Sequence, residues 1–364
     1  MKITGIIIEH NPFHHGHKYH IEETIRLTKP DILVAIMTGN YNQRGDLSII
    51  DKFEKTKIAL DNGIDLIIEL PYVYTMQNAY IYGSKAIKLL NEINCNYLVF
   101  GSETNNLDEL KQYASLEIDV TRLKELLRQG NSFPKAYGLL AGALYPNDIL
   151  AVAYLKEIQN TNIIPLSIQR TSNYKEDKIS IDTSASAIRK AILNNEDYHE
   201  GTDIRIDHPV FLKDLYPFIQ NKLFTSNKEE LKKIFMVDEG IENLLIKNAY
   251  KYFDFEDFIN NTISRRYTRS KIQRTLIHII NNITKDDINN LKEDNYLRIL
   301  GFNNKGRKLL NKLKEDENKK IITQFKNIPS PYKEIEWKIN LVYASLLKDP
   351  EAYLKKELKG PIII

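Results

Sequence analysis

Residues 3–28, ITGIIIEHNPFHHGHKYHIEETIRLT, pass from a β-branched run through a glycine-containing turn into a polar stretch of helical texture. Ile3, Ile6, Ile7 and Ile8 make the run a strand, the turn a loop, and the remainder a helix. The same alternation recurs down the chain. DILVAIMTG (31–39) reads as strand, DKFEKTKIALDNG (51–63) as a helix closed by Gly63, DLIIELPY (65–72) as strand, NAYIYGSKAIKLLNEI (78–93) as helix and YLVFGSE (97–103) as strand. A helical insertion over about 107–144 follows, then a helix near 149–159, the strand NIIPLSIQR (162–170) and a helix over 184–193. Short buried strands separated by helices demand right-handed crossovers and a parallel sheet covered on both faces. The expected fold is therefore an α/β, doubly wound, Rossmann-like domain. Its ligand lies beyond the carboxyl ends of the strands, where the histidines of the first turn, Gly39, Gly101 and Arg170 fall.

At 364 residues, 42% apolar and 27% charged, the chain has ordinary globular composition and room for two domains. Its apolar runs are strand-sized and Glu9 follows the first one closely, so no signal peptide or spanning helix is expected, and the reading is a cytoplasmic protein away from membranes. Cys95 is the single cysteine, which excludes an intramolecular disulfide and a cysteine metal cluster. The net charge of +3 is unevenly spread: residues 1–200 carry −4 and residues 201–364 carry +7. The second half is the candidate for an anionic partner, although a solvated helical surface explains a modest excess equally well.

In NPFHHGH (11–17), His14 and His17 form a His-x-Gly-His pattern between a strand and a helix. Gly16 lets backbone approach a ligand, and the unpaired N–H groups of the helix start favour phosphate. Two imidazoles there can donate to phosphate oxygens and stabilise charge as pyrophosphate leaves an α-phosphate. On its own the motif also reads as a surface or metal-binding cluster. Zinc is disfavoured because no Cys or third ligand accompanies the pair. A second motif, DTSASAIRKAI (182–192), places Ser184 and Ser186 at a helix start and Arg189 one turn in, within reach of triphosphate oxygens. Taken together the two motifs resemble the nucleotidyltransferase superfamily, whose members activate a substrate on the α-phosphate of ATP.

From about residue 200 the texture becomes helical, rich in Leu, Ile, Lys and Asn, and GTDIRIDHPV (201–210) marks the junction. The expected division is a catalytic domain over 1–199 and a mainly helical, basic domain over 200–364. RRYTRSKIQR (265–274) carries Arg265, Arg266, Arg269, Lys271 and Arg274 without an acid. On a helix, Arg266, Arg269 and Arg274 share one side and offer a track for phosphates, with Tyr267 stacking on a base or packing. Lys305, Arg307 and Lys308 form a second basic turn. Each stretch alone also reads as a solvated face.

The resemblance closes further on EHNPFHHGHKYH, on MTGNYNQRGDLSIIDKFEKTKIALDNGIDLIIELPYVY, and on VFGSE, PNDILAVAYLK and ISIDTSASAIRKAI, which occur in the order found in the tRNA(Met) cytidine acetate ligase family. RRYTRSKIQRTLIHII and YLRILGFNNKGRKLL are similar to that family's carboxyl-terminal segments, so the likeness spans nearly the whole chain. It implies formation of acetyl-adenylate from acetate and ATP, then acetyl transfer to N4 of the wobble cytidine, position 34, of elongator tRNA(Met). It also implies an ATP-binding run of Ile7, Ile8, Glu9, His10, Asn11, Pro12, Phe13, His14, His15, Gly16, His17 and His20, with Gly101, Asn147 and Arg170; Mg2+ is expected to bridge the phosphates, as in most ATP chemistry. Asp148 and Ala151 stand where relatives commonly have Asn and Gly.

In that reading His14 and His17 hold the α-phosphate and Arg189 neutralises pyrophosphate. Gln43 and Arg44 contact phosphate or acetate, or are solvated, and Asp51 with Lys52 forms a helix-start pair. Basic groups at 265–274 hold the RNA, and no protein partner is expected. Two rivals stand beside this reading. One is a nucleotidyltransferase acting on a small metabolite, which leaves the basic half unused; the other is a nucleotide-dependent RNA-binding protein without chemistry, which leaves the two motifs unused.

Overall fold

The β-branched run does form a strand. In the computed structural model, which describes residues 1–170 and 179–364, β1 (Ile3–Ile8) leads into α1 (His15–Thr28) and β2 (Ile32–Thr38). A short hairpin of β3 (Tyr41–Asn42) and β4 (Asp46–Leu47) precedes α2 (Lys52–Asp61), β5 (Leu66–Leu70), α3 (Tyr72–Thr75), α4 (Ala79–Glu92) and β6 (Tyr97–Ser102). The insertion holds α5 (Leu107–Ser115), α6 (Val120–Arg128) and α7 (Phe133–Ala141), and α8 (Pro146–Ile158), β7 (Ile164–Gln169) and α9 (Ala185–Leu193) follow. Caps set the helix starts: Asp51 accepts from the N–H groups of Phe53 and Glu54, and Asn78 from those of Tyr80 and Ile81.

The second half contributes α10 (Tyr216–Thr225), α11 (Lys228–Lys233), α12 (Ile241–Lys251), α13 (Phe255–Thr262), α14 (Arg269–Ile280) and α15 (Lys285–Asn289). It then adds β8 (Leu297–Phe302), α16 (Asn304–Leu313), β9 (Ile321–Ile322), α17 (Tyr332–Ala344), α18 (Pro350–Lys359) and β10 (Ile362–Ile363). The sheet runs β10-β8-β5-β2-β1-β6-β7, with β9 also on β8. The strands β5, β2, β1, β6 and β7 are parallel, as the alternation requires, and β8 is antiparallel to β5.

The strand β8 had no counterpart in the sequence reading. LRILGF is buried along its whole length, so it lacks the two-residue alternation that marks a half-exposed strand, and it sits among helices. The core is similarly continuous. Ile6, Leu33, Ala35, Met37 and Ile67 of one sheet face pack with Ile219, Leu245, Phe258, Leu276 and Tyr343 of the second half. Val34, Ile36, Leu66, Ile68 and Leu98 pack on the other face with α4, α8 and α16. Neither sheet nor core breaks at residue 200.

A buried ion cluster fastens α18 to the sheet. Lys52 Nζ lies 2.8 Å from Glu69 and 2.8 Å from Glu357, all three nearly inaccessible, and Arg298 of β8 lies 3.5 Å from Glu357. Lys52 is therefore not the helix-start partner of Asp51; Asp51 caps α2 and faces Lys356 at 3.7 Å. Among the described residues no single helix is long and apolar enough to cross a membrane.

Candidate active site

The strand order decides where a ligand enters. β1 has β2 on one side and β6 on the other, so the chain reverses direction across the sheet at β1, and loops leaving the carboxyl ends of β1 and β6 splay apart. A cleft of about 560 Å³ opens there. Ile7, Ile8, Glu9, His10, Asn11, His14, Gly16, His17 and His20 line it, with Gly101 and Asn147, and with Arg170, Ser184, Ser186 and Arg189. Pro12, Phe13 and His15 do not. Phe13 is buried in the core beneath, and its carbonyl accepts the Thr202 hydroxyl at 2.7 Å.

His14 N-caps α1. Its Nδ1 accepts the N–H of Gly16 at 3.0 Å, which leaves the ring proton on Nε2. Burial, helped by Arg170, His15 and Arg189, pulls its pKa down to about 3. Burial likewise pushes His10 and His17 well below 6.5 and His20 to about 4, and the Nε2 of His20 sits 3.1 Å from the Val99 carbonyl. The imidazoles are thus neutral donors packed ring to ring, with His14 and His17 centroids 3.9 Å apart and those of His10 and His17 4.5 Å apart. Among the described residues no three His, Cys, Asp or Glu side chains are grouped to hold a metal ion.

Two separate segments brace this turn. Asn11 accepts the N–H of Ile49 at 2.9 Å and donates to the Leu47 carbonyl at 2.9 Å, tying the turn to the hairpin. Arg189 Nη1 donates to the Asn11 carbonyl at 2.6 Å, its Nη2 to Ser186 at 3.2 Å, and its Nε lies 3.7 Å from Asp46. Ser184 caps α9 by accepting the Ala187 N–H at 3.3 Å. On the other flank a Cβ at Gly101 would fall 3.2 Å from Arg170 Cγ, so a larger residue would push against the arginine.

Asn147 and its neighbour Asp148 have different surroundings. Asp148 is fully buried and accepts from Ser102, from the Glu103 N–H at 3.1 Å, and from the backbone and hydroxyl of Thr104, clamping the turn after β6. Asn147 faces the cleft and is held by Glu103 at 2.6 Å.

The basic segment is divided. Helix α14 begins at Arg269 behind the Thr268 cap, so residues 265–268 form a loop rather than part of a helix. Arg265 is exposed and donates to Asn131 at 3.0 Å, Arg266 faces Glu239 at 3.9 Å, and Arg269 pairs with Glu256 at 2.6 Å. Lys271 and Arg274 turn inward: Lys271 donates to the Met236 carbonyl at 2.8 Å and Arg274 to the Gln43 carbonyl at 2.9 Å. Their ammonium and guanidinium serve backbone oxygens, and Tyr267 is packed against the Glu239 carbonyl at 2.7 Å. The turn with Lys305, Arg307 and Lys308 adjoins Asp65 at the start of β5, the end of the sheet opposite the cleft.

Sequence reading missed several groups at the site. Lys55 is buried and donates to the carbonyls of Glu9 at 3.0 Å, Thr38 at 3.1 Å and Gly39 at 2.7 Å, tying the ends of β1 and β2 together. In the sequence it is one lysine in an amphipathic helix, indistinguishable from a solvated one. Gln43 is held by its own N–H on Glu9 at 2.7 Å, while Arg44 lines the cleft. Glu256, Arg269, Ser270 and Gln273 of the second half also form part of its wall.

The HIGH Nucleotidyl Transferase family model matches residues 1–357. A tRNA(Met) cytidine acetate ligase of Fusobacterium nucleatum is 38% identical, covering 93% of this chain and 92% of the relative. Another of that name, from Oceanobacillus iheyensis, is 36% identical over the whole of both chains. Crystal structures of Thermotoga maritima TmcAL superpose over the full chain at 27% identity, with a TM-score of 0.88 for the apo form and 0.85 for the form bound with alpha-thio ATP.

Proposed function

Since the chain belongs to the HIGH nucleotidyl transferase family and, within it, to the tRNA(Met) cytidine acetate ligases, we propose that the cleft at the ends of β1 and β6 carries both of its half-reactions. The protein is an ATP-dependent ligase that joins acetate to a tRNA cytidine. In the first half-reaction an acetate oxygen attacks the α-phosphorus, the bond to the β-bridging oxygen breaks, and pyrophosphate departs. In the second, N4 of the wobble cytidine, position 34 of elongator tRNA(Met), attacks the acyl carbon, AMP departs with the electron pair, and a proton is lost from the nitrogen. The products are N4-acetylcytidine, AMP and pyrophosphate.

The observation that carries this assignment is the set of neutral, buried imidazoles that line the cleft together with Arg170 and Arg189. His14 and His17 donate N–H bonds to the α-phosphate oxygens, whose charge grows as the pentavalent centre forms. Arg189, already 2.6 Å from the Asn11 carbonyl, is placed to meet the leaving pyrophosphate, with Ser184 and Ser186 at the same helix start. Gly101 and Arg170, at the ends of β6 and β7, and Asn147 at the start of α8 hold the adenosine side.

Among the described residues no three His, Cys, Asp or Glu side chains gather to hold Mg2+ by themselves, so the ion would enter with the triphosphate, near Glu9 and Asp46 of the cleft lining. Arg265, Arg266 and Arg269 are the RNA-facing cations, in a carboxyl-terminal half given to tRNA.

The deciding experiment follows radiolabelled acetate into bulk bacterial tRNA in the presence of ATP. Labelled N4-acetylcytidine supports the ligase. Pyrophosphate released with acetate, but no labelled RNA, points to another acceptor, and ATP binding without either signal overturns the assignment. His17→Ala is expected to abolish acetate-dependent pyrophosphate formation in a folded protein.

A further inference from the structure

Gln273, in the second turn of α14, is only 8% exposed and what remains accessible lines the cleft. Among the described residues its side-chain amide has no hydrogen-bonding partner. Its Oε1 and Nε2 keep contact with water at the cleft surface. A ligand that offers a matching donor and acceptor can take the place of that water bond for bond.

The wall around Gln273 is closely packed. Gly45, at the tip of the β3–β4 hairpin, has φ +83°, and a Cβ there would stand 2.6 Å from the Arg274 nitrogen and 3.0 Å from Gln273 Cβ. Arg274 reaches from the next position to the Gln43 carbonyl. Hairpin and helix are thus in direct contact, and the amide cannot retreat between them.

Sheet order places this wall relative to the nucleotide. Of the adenosine-side residues, Gly101 lies in β6, Arg170 directly follows β7, and Asn147 at the start of α8 is held by Glu103 just past β6, all on one side of β1. The hairpin that abuts Gln273 follows β2, on the other side. Asp46 of that hairpin lies 3.7 Å from Arg189 and also feels the charges of Arg269 and Glu256. Gln273 therefore stands on the side of β1 away from Gly101 and Arg170, in a cleft wall it shares with Asp46 and Arg269 and open to an acceptor that enters the cleft.

We propose that Gln273 binds the Watson–Crick edge of the acceptor base, a base with an exocyclic amine beside a ring nitrogen acceptor. The proposal rests on the ligase reading above and names the group that presents the nucleophile. Oε1 accepts one N4–H while Nε2 donates to N3. The lone pair of N4 stands perpendicular to the ring and stays free to attack the acyl carbon from one face. As the nitrogen–carbon bond forms, the carbon–oxygen bond to the adenylate breaks, AMP takes the electron pair, and the nitrogen's surplus proton passes to water. No protein group fixes the amide's orientation, so Gln273 positions the base and leaves discrimination to the chemistry, since uracil has no amine to acylate.

The test compares two reactions in Gln273→Leu and Gln273→Glu. One is acetate-dependent exchange of labelled pyrophosphate into ATP without RNA; the other is acetyl transfer to bulk bacterial tRNA, read as N4-acetylcytidine. In Gln273→Leu, kcat/KM for tRNA should fall about 10- to 100-fold, while exchange and the KM for ATP change by less than about threefold. Gln273→Glu should transfer poorly at high pH and recover as pH falls, because only the protonated carboxyl can donate to N3. It keeps the measurement available should the leucine variant fail to fold. Undiminished transfer in Gln273→Leu overturns the proposal, as does a pH profile of Gln273→Glu that matches wild type. A parallel fall in exchange with a raised KM for ATP overturns it too, by reassigning the amide to adenine. Failure of the wild-type protein in both reactions overturns the ligase reading itself and removes the acceptor with it.

Discussion

The Nδ1 of His14 accepts the N–H of Gly16 at 3.0 Å, which makes Nε2 the donor and ties the ring's tautomer to the start of α1. Replacing His14 with Asn keeps a local cap but withdraws the Nε2 donor. Acetate-dependent pyrophosphate exchange should fall about 100-fold or more, the scale of losing one donor to a developing anion, with little change in thermal stability. Exchange near wild-type level in a folded variant would remove His14 from the reacting centre.

Acid should unfold the protein through its buried imidazoles. Burial holds His14 and His278 at about 3 and sends His10 well below 6.5. Below about pH 6.5 the unfolded chain takes up protons that the folded chain refuses, so stability falls as pH drops through that value and continues falling toward 3. At pH 5 the loss is about 2 kcal/mol each for His14 and His278. Urea midpoints measured from pH 7.5 to 4.5 should decline accordingly, and a flat profile would contradict the burial.

Lys55→Met should cost stability rather than surface charge. It strips the donor from three carbonyls at the ends of β1 and β2 while leaving the apolar stem. Unsatisfied buried acceptors cost about 1–3 kcal/mol apiece at most, so a total of about 2–4 kcal/mol is expected after relaxation. Denaturant unfolding measures it, and a loss below about 1 kcal/mol would mean that water takes over the ammonium's place.

Gly45→Ala should separate the hairpin from α14. The positive φ and the 2.6 Å approach to the Arg274 nitrogen leave no room for the methyl. A loss of about 1–3 kcal/mol is expected from strain at such a position. Transfer to tRNA should fall more than pyrophosphate exchange, because the shifted wall is the one that carries Gln273.

Replacing Arg265, Arg266 and Arg269 together with Ala should weaken tRNA binding and flatten its salt dependence, by about 0.7–0.9 in log–log slope for every phosphate that is no longer neutralised. The matching triple at Lys305, Arg307 and Lys308, at the far end of the sheet, should leave both unchanged. Filter binding between about 50 and 200 mM salt, the range over which counterion release is large, separates the two. Equal effects would mean that the cations act through overall charge alone.

Much of this molecule was legible because its signals are local. The strand from Ile3 to Ile8, the His-x-Gly-His turn and the Ser184 cap are each written within a dozen residues, where period, turn chemistry and cap preference act. Even the cleft followed, since strand alternation implies a reversal point and ligands bind there.

What local pattern does not carry is the partner of a buried charge. Lys52 and Lys55 occupy neighbouring turns of one helix, yet one meets Glu69 and Glu357 and the other three backbone carbonyls. Lys271 and Arg274, read with the other basic groups of 265–274 as holding RNA, donate to carbonyls of distant segments. Strand β8, buried on both faces, has no alternation to reveal it. The sequence by itself determined the alternating α/β order, the His-x-Gly-His turn, the Ser184 cap and the place of the cleft, because these depend on spacing along the chain. Tertiary structure alone decided which cations face solvent, which carboxylates are already paired, and that Gln273 stands unpaired in the wall, because each depends on contacts between residues far apart in sequence.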